Sequence, residues 1–534
     1  MTEAEERSPG SRRNWIPTAW IVSVLTAAYA AVAVWQTASS VHRPLADRQA
    51  DLHVYYGAVQ TVARGAPLYS YTAPNGDPFT YPPFAVLVLW PIRWLSEPVL
   101  RVVWTGATCA LIPMVAAIAF RRVTPPARGL VVGLGALLVL LAAPSQSNLR
   151  FGQVSLLVIL LALIDAAEVT PPRWQGVLIG LAAGVKLTPL LFVPYLLLTG
   201  RRKAAATATI VFIACEATAA LLLPSDSLAF WTREVFSTSR VGNLSATGNQ
   251  SLNGMLLRLP LVASHREAAW ILLSLAVTVT ALQQARRLAD HRLRTEAAAV
   301  IGCASLAVSP VSWTHHQQWT VLAGLLLFAR RPPISYLLAG AILTLMVVTL
   351  PPLPGAFGHI LASDVRGFCA IALCTTGLLA TCRLAPLARL RNARPRIADL
   401  LAGRLIAAFS GLAVLASAVA IATGIVRLHF LPPDGLTAAR WRAAMSDTST
   451  PPAAAMSYLI APTNGVAVKT AGRARADVAR IELRVTSTGP LRPVPLTTGS
   501  SGTRTFAFVL SRQAGAALIA YDNQGQPISY KNLE

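Results

Sequence analysis

Residues 15–35 read WIPTAWIVSVLTAAYAAVAVW, and residues 51–57 read DLHVYYG. The first stretch is apolar and long enough to cross about 30 Å of hydrocarbon as a helix. It follows a short polar N-terminus with Glu3, Glu5, Glu6, Arg12 and Arg13. It is too long for the apolar region of a signal peptide and has no clear cleavage site, so it reads as a retained membrane helix. The second stretch sets a carboxylate, Asp51, in the first polar loop beyond that helix. Asp47 lies four residues earlier and shares its helix face.

The composition extends this reading to the whole chain. Of 534 residues, 54% are hydrophobic and 13% charged, against roughly 25% charged in soluble domains. Apolar runs recur, so the chain is read as a polytopic helical membrane protein. A β-barrel is excluded, because its strands would alternate apolar and polar residues. The net charge of +23 does not signal nucleic acid. The arginines stand in short loops between apolar runs, where they set membrane orientation. The cysteines Cys109, Cys215, Cys303, Cys369, Cys374 and Cys382 all fall in apolar segments without a CxxC pair. They read as small buried hydrophobes.

Six basic clusters fix a topology if all face the cytoplasm: around Arg12, Arg121, Arg201, Arg286, Arg330 and Arg389. Spans then fall near 15–37, 99–120, 129–143, 153–168, 175–186, 188–200, 204–224, 267–284, 297–309, 317–330, 333–351, 364–383 and 403–426. The apolar piece 81–96 is re-entrant or interfacial, since a full crossing there would move Arg121, Arg122 and Arg128 outside. The pair around Lys186 is short. Gly176 to Val185 rises, Pro189 breaks the helix and Leu190 to Leu198 returns. That leaves Lys186 at the outer end of two half-length helices. Such non-helical backbone needs protein or a wet cavity around it.

Beyond the last span the composition changes, so residues 1–427 form a transmembrane domain and 428–534 a small soluble one. Alternating patterns at Ala479–Thr486 and Thr503–Leu510, and a turn at Asp522–Gly525, predict β-structure there. The span count places this tail outside the membrane.

With this topology the polar clusters gather at the outer ends of the spans, and polar groups at membrane depth mark function. A carboxylate within reach of a hydroxyl can act as general base, which singles out Asp51. Lys186 is the sole lysine between residues 14 and 200. A buried ammonium needs an anion or a water path, and a phosphate suits it. His315 and His316 are adjacent, so on a helix they diverge by about 100° and do not share a metal. Asn249, Gln250 and Asn253, set between Gly248 and Gly254, offer the directed hydrogen bonds that sugar or phosphate recognition uses. No Asp-x-Asp pair is present in the loop, so a diphosphate–metal site is not indicated.

Seven motifs then occur in order: Asp51 with Tyr55-Tyr56; Gly65 with Leu68-Tyr69; Phe79 to Pro83; Gly152-Gln153; Gly184 to Pro189; Asn249 to Gly254; and Ser309 to His316. Together they resemble glycosyltransferase family 87. That family includes polyprenyl-phosphate-mannose-dependent α-1,2-mannosyltransferases that extend phosphatidylinositol mannosides and lipoglycans. The resemblance covers roughly residues 15–425; the tail has no counterpart in it.

It implies an all-α membrane fold of the GT-C type with about 12–13 transmembrane helices, in a multi-pass protein of the cell membrane. It implies a polyprenyl-phosphate sugar donor, a mannolipid or glycan acceptor, a site on the extracytoplasmic side and no cofactor or metal. Asp51 is then the catalytic base of an inverting displacement. Lys186, one of His315 and His316, and Arg150 bind the donor phosphate. Tyr55, Tyr81, Gln153, Asn249, Gln250, Asn253 and Trp313 bind sugar or acceptor. The nearest alternative is arabinofuranose transfer from a polyprenyl phosphate. Readings from other classes are a lipid or solute transporter, which would show repeats and mid-depth polar groups, and a cell-wall-binding scaffold.

Overall fold

The structure is a computed structural model, and it describes residues 15–42, 49–73, 76–123, 125–259, 262–329, 333–348 and 355–378, together with the strands and turns between 456 and 532. Asp47, Cys382 and the span expected over 403–426 lie outside the described residues. These residues fall into two units, one of 1–38, 81–88 and 95–426, the other of 39–80, 89–94 and 427–534.

The first unit is helical. Its elements are α1 (Trp15–His42), α3 (Pro83–Leu89), α4 (Glu97–Ala119), α5 (Pro125–Leu141), α6 (Ala143–Phe151), α7 (Ser155–Ala166), α8 (Val177–Val185), α9 (Phe192–Leu198) and α10 (Arg202–Leu222). They continue as α11 (Pro224–Thr232), α12 (Leu252–Leu257), α13 (Ala263–Asp290), α14 (Arg294–Val308), α15 (Gln318–Phe328), α16 (Pro333–Val347) and α17 (Gly355–Thr375). Helix α2 (Ala50–Ala63) belongs to the second unit.

Among the described residues four helices are long and apolar enough to cross a membrane alone: α1, α4, α10 and α13. Helices α5 and α6 form a fifth stretch bent by 58°, and several shorter apolar helices accompany them. The chain is a multi-pass helical membrane protein.

Several boundaries differ from the sequence reading. Residues 144–151, expected as loop, are helix α6, which closes at Gly152 with φ +67°. Its residues are polar, so hydropathy passed over it. Helix α13 runs to Asp290, past the expected end at 284, because its last turns are charged rather than apolar. Helix α17 starts at Gly355, nine residues before the expected 364. A further helix, α11, follows α10 where loop was expected. The break around Lys186 is as the sequence reads: α8 ends at Val185, a 3-10 turn covers Thr188–Leu191, and α9 begins at Phe192.

Helix α8 owes its place to small residues spaced by four. A Cβ on Gly176 would lie 2.1 Å from the Ala204 carbonyl oxygen, and one on Gly180 would lie 2.6 Å from that of Ala208. One on Gly184 would meet Cys215 and Phe84 at 2.9 Å. This stripe lets α8 and α10 approach backbone to backbone, as small residues do between membrane helices. Gly180→Leu is therefore expected to push α10 away, cost about 1–3 kcal/mol and lower the melting temperature in detergent.

The start of α8 is tied down as well. Asp165 is buried at the end of α7, and its carboxylate accepts from the backbone N–H groups of Gly176, Leu178 and Ile179 at 2.8–3.2 Å. An acid among the orphan donors of a helix start is favourable. Arg201 donates to the carbonyls of Asp165 and Ala166 at 3.0 and 3.1 Å. The start of the short helix that presents Lys186 is thus fixed to the end of α7. Elsewhere Tyr29 donates to the Cys109 carbonyl at 2.5 Å, which joins α1 to α4. The five described cysteines are free, four of them buried.

In the second unit α2 buries Leu52, Val54, Tyr55, Ala58 and Val59. Tyr71 lies over Gly57, where a Cβ would be 2.0 Å from its hydroxyl. Gln60 donates to the Arg93 carbonyl at 3.2 Å in the 3-10 segment Trp90–Trp94. The C-terminal strands are β1 (Met456–Thr463), β2 (Ala467–Ala474), β3 (Arg480–Arg484), β4 (Leu491–Val494), β5 (Leu496–Thr498), β6 (Arg504–Ser511), β7 (Ala517–Tyr521) and β8 (Pro527–Asn532). They pair antiparallel in two sheets, ordered β1-β2-β6-β5 and β4-β3-β7-β8.

Candidate active site

Lys186 stands at the C-terminal cap of α8 in extended conformation, φ −153° and ψ 124°. This turns its side chain off the helix. The ammonium donates to Ser155 Oγ at 3.3 Å, lies 2.6 Å from His316 Nε2 and sits 5.4 Å from the centre of the Tyr81 ring. Tyr81 donates its hydroxyl to Gln153 Oε1 at 2.9 Å, and Ser155 donates to the same oxygen at 3.2 Å. Lys186, Tyr81, Gln153 and His316 therefore form one connected group.

This group borders a cavity of about 30 Å³, room for a single water or one phosphate oxygen. Its polar wall is Ser155, Lys186, Thr188, Ser309, Ser312 and His316, and its apolar wall includes Val158, Ile159, Leu306 and Trp319. Trp319 reaches the cavity because Gly302 leaves space for its ring; a Cβ there would be 2.0 Å from the indole. Ser312 is 1% exposed, and its hydroxyl has no hydrogen-bond partner. The hydroxyls of Ser155, Thr188, Ser309 and Ser312 were not singled out from the sequence. Thr188, Ser309 and Ser312 stand inside motifs that gave them no role of their own, Ser155 stands in none, and folding brings all four to one cavity.

The two histidines diverge, as their adjacency requires. They lie on a 3-10 turn, Thr314–His316, in the connection between α14 and α15, with rings edge to face at 4.4 Å. His315 turns inward, 4% exposed, between Phe151 at 5.9 Å and Ser147, whose hydroxyl is 3.5 Å from its Nδ1. His316 turns to Lys186. The backbone N–H of Trp313 donates to His316 Nδ1 at 3.0 Å. The other ring nitrogen, Nε2, lies 2.6 Å from Lys186 Nζ, and both residues border one cavity open to an anionic oxygen.

Burial, and after it the Lys186 charge, hold both imidazoles well below their ordinary value of 6.5; His316 also feels His315. Both rings stay neutral in the folded state at pH values where the unfolded chain binds protons. Between the unfolded value near 6.5 and the lower folded value the unfolded state carries more protons, so stability falls as pH falls. Acidification below about 6.5 is expected to destabilise the protein by up to about 1.4 kcal/mol per pH unit for each ring. Thermal melts across that range should show a shallower slope in His315→Gln.

The remaining expected residues fall in three places. Arg150 ends α6 and lies over the Phe151 ring, 5.5 Å from its centre. Asn249, Gln250 and Asn253 form a tight turn with the 310–312 segment, and Asn249 is 0% exposed. The Trp313 ring covers Gly248, where a Cβ would lie 3.4 Å from it. Asp51 and Tyr55 belong to the second unit: Asp51 is half-buried in the first turn of α2, and Tyr55 is buried one turn on. Among the described residues no three His, Cys, Asp or Glu side chains converge as metal ligands.

Comparison with known proteins places the chain among glycosyltransferases. Residues 79–310 match the model of glycosyltransferase family 87. A protein of Mycobacterium tuberculosis, polyprenol-phosphate-mannose-dependent alpha-(1-2)-phosphatidylinositol mannoside mannosyltransferase, is 33% identical over 53% of this chain and 71% of its own. Its namesake in Mycolicibacterium smegmatis is 33% identical over 56% and 75%. A phosphatidylinositol pentamannoside mannosyltransferase of Mycobacterium tuberculosis is 30% identical over 56% and 72%. No solved structure matches. The matched region holds Ser155, Lys186 and the 249–253 turn, and on this similarity the chain belongs to glycosyltransferase family 87.

Proposed function

We propose that the protein transfers mannose from a polyprenyl-phosphate-mannose donor to a hydroxyl of a mannolipid, with inversion at the anomeric carbon. The relatives' names supply the donor, the α-1,2 linkage and phosphatidylinositol mannosides as acceptor class. The observation that carries the reading is the meeting of Lys186 Nζ and His316 Nε2 at 2.6 Å beside a hydroxyl-lined cavity. A lysine and an imidazole ringed by hydroxyls suit a phosphate monoester, whose charge grows as the sugar leaves. Of the two imidazoles His316 fills this role, since His315 is turned toward Phe151.

The acceptor hydroxyl displaces the lipid phosphate at C1 and must lose its proton as it attacks. Asp51 is the carboxylate for that step. It occupies the first polar segment after α1, in the first turn of α2. A β-linked donor then gives an α-linked product. Tyr81 and Gln153 hold Lys186 and Ser155 in place, and Arg150 adds positive charge near the phosphate. The Arg clusters support a site on the extracytoplasmic face, with residues 428–534 as a separate domain there.

Incubating the purified protein with radiolabelled polyprenyl-phosphate-mannose and a phosphatidylinositol mannoside tests the reading. An α-linked product supports it, and transfer from polyprenyl-phosphate-arabinofuranose alone would replace it.

A further inference from the structure

The side-chain amides of Asn249 and Gln250 are occupied by protein, and Asn253 gives its Nδ2 to the same segment. Asn249 Oδ1 accepts from the Ser312 N–H at 2.9 Å and from the Ser251 hydroxyl at 2.9 Å, while its Nδ2 donates to the Leu244 carbonyl at 2.9 Å. Gln250 N–H donates to the Ser312 carbonyl at 2.8 Å. Gln250 Nε2 donates to the carbonyls of Thr247 and Ser363, both at 2.6 Å, and its Oε1 accepts from Gly367 N–H at 2.8 Å. Asn253 Nδ2 and Ser251 Oγ both donate to the Pro310 carbonyl, at 3.1 and 3.2 Å. Arg258 donates to the Asn249 carbonyl at 2.9 Å and pairs with buried Asp364 on α17.

The backbone of Ser312 is therefore gripped at both its N–H and its C=O. The same residue puts its side chain on the cavity, and the next one, Trp313, fixes the His316 ring through its N–H. A buried amide whose hydrogen-bonding positions are filled has little left for a sugar.

We infer that Asn249, Gln250 and Asn253 are positioning residues: they hold the 310–313 backbone so that Ser312 and His316 stand against Lys186, and they do not contact the acceptor. The inference rests on the proposed role of that cavity as the donor phosphate site. Ser312 becomes a phosphate-binding residue whose hydroxyl donates to a phosphate oxygen in the cavity beside Lys186 and His316.

Steady-state transfer by purified Asn249→Ala and Asn253→Ala tests it. Asn253→Ala removes one hydrogen bond at a half-buried position, so it keeps the measurement available where the Asn249 variant fails to fold. A misplaced phosphate group should lower kcat about 10-fold to 100-fold and leave the acceptor KM unchanged. Combined with His316→Gln, Asn253→Ala should add little further loss, because both act on the same group. A raised acceptor KM with kcat intact, or full additivity with His316→Gln, would overturn the inference alone. A Lys186→Ala protein working at the wild-type rate would instead defeat the phosphate reading, and this inference with it.

Discussion

Replacing Asp51 by Asn is expected to abolish mannosyl transfer while donor binding persists. The substitution keeps the size and one acceptor oxygen, so α2 retains its packing through Leu52, Val54, Tyr55, Ala58 and Val59. What it removes is a group able to take a proton. General-base catalysis is worth about 10²–10⁴-fold, and an inverting displacement has no second carboxylate step to fall back on. The Asn variant should still bind labelled donor, because the phosphate contacts proposed here come from Lys186, His316 and Ser312. Turnover at a normal rate in purified Asp51→Asn would remove the base from the mechanism.

Lys186→Ala is the second large effect. It deletes the charge at the mouth of the cavity and leaves His316, Ser155 and Ser312 without the ammonium that organises them. Losing one preorganised donor to a developing oxyanion costs about 10²–10³-fold, and the loss should appear in kcat. The fold should survive, since α8 is fixed by Asp165 at its start and by the glycine stripe along α10. Direct donor-binding measurements would separate the two roles: Lys186→Ala weakens binding of the lipid phosphate, whereas Asp51→Asn does not.

The broken helix around Lys186 was legible because Pro189 and a lone lysine in an apolar run are strong local signals. The first span and the Asp51 segment were legible for the same reason, a sharp change from apolar to polar. Helix α6 was not, because hydropathy finds apolar helices and α6 is polar on a short turn count. The stripe of Gly176, Gly180 and Gly184 was in plain view as a four-residue spacing, yet its meaning depended on which helix it faced. Asn249 drew notice as a sugar ligand from its residue type alone. Only its burial and its bond to Ser312 show where its amide goes. Ser312 and Thr188 lay inside quoted motifs but gained a role only from the cavity they share with Lys186, which joins segments 126 residues apart at Lys186 and Ser312.

The most direct measurement follows label from polyprenyl-phosphate-[¹⁴C]mannose into a phosphatidylinositol mannoside with purified wild-type protein and Lys186→Ala side by side. The account predicts an α-1,2-linked product from the wild type and a loss of about 10²-fold or more in the variant. Equal rates from the two proteins, or no mannose transferred by the wild type while the donor is bound, would contradict it.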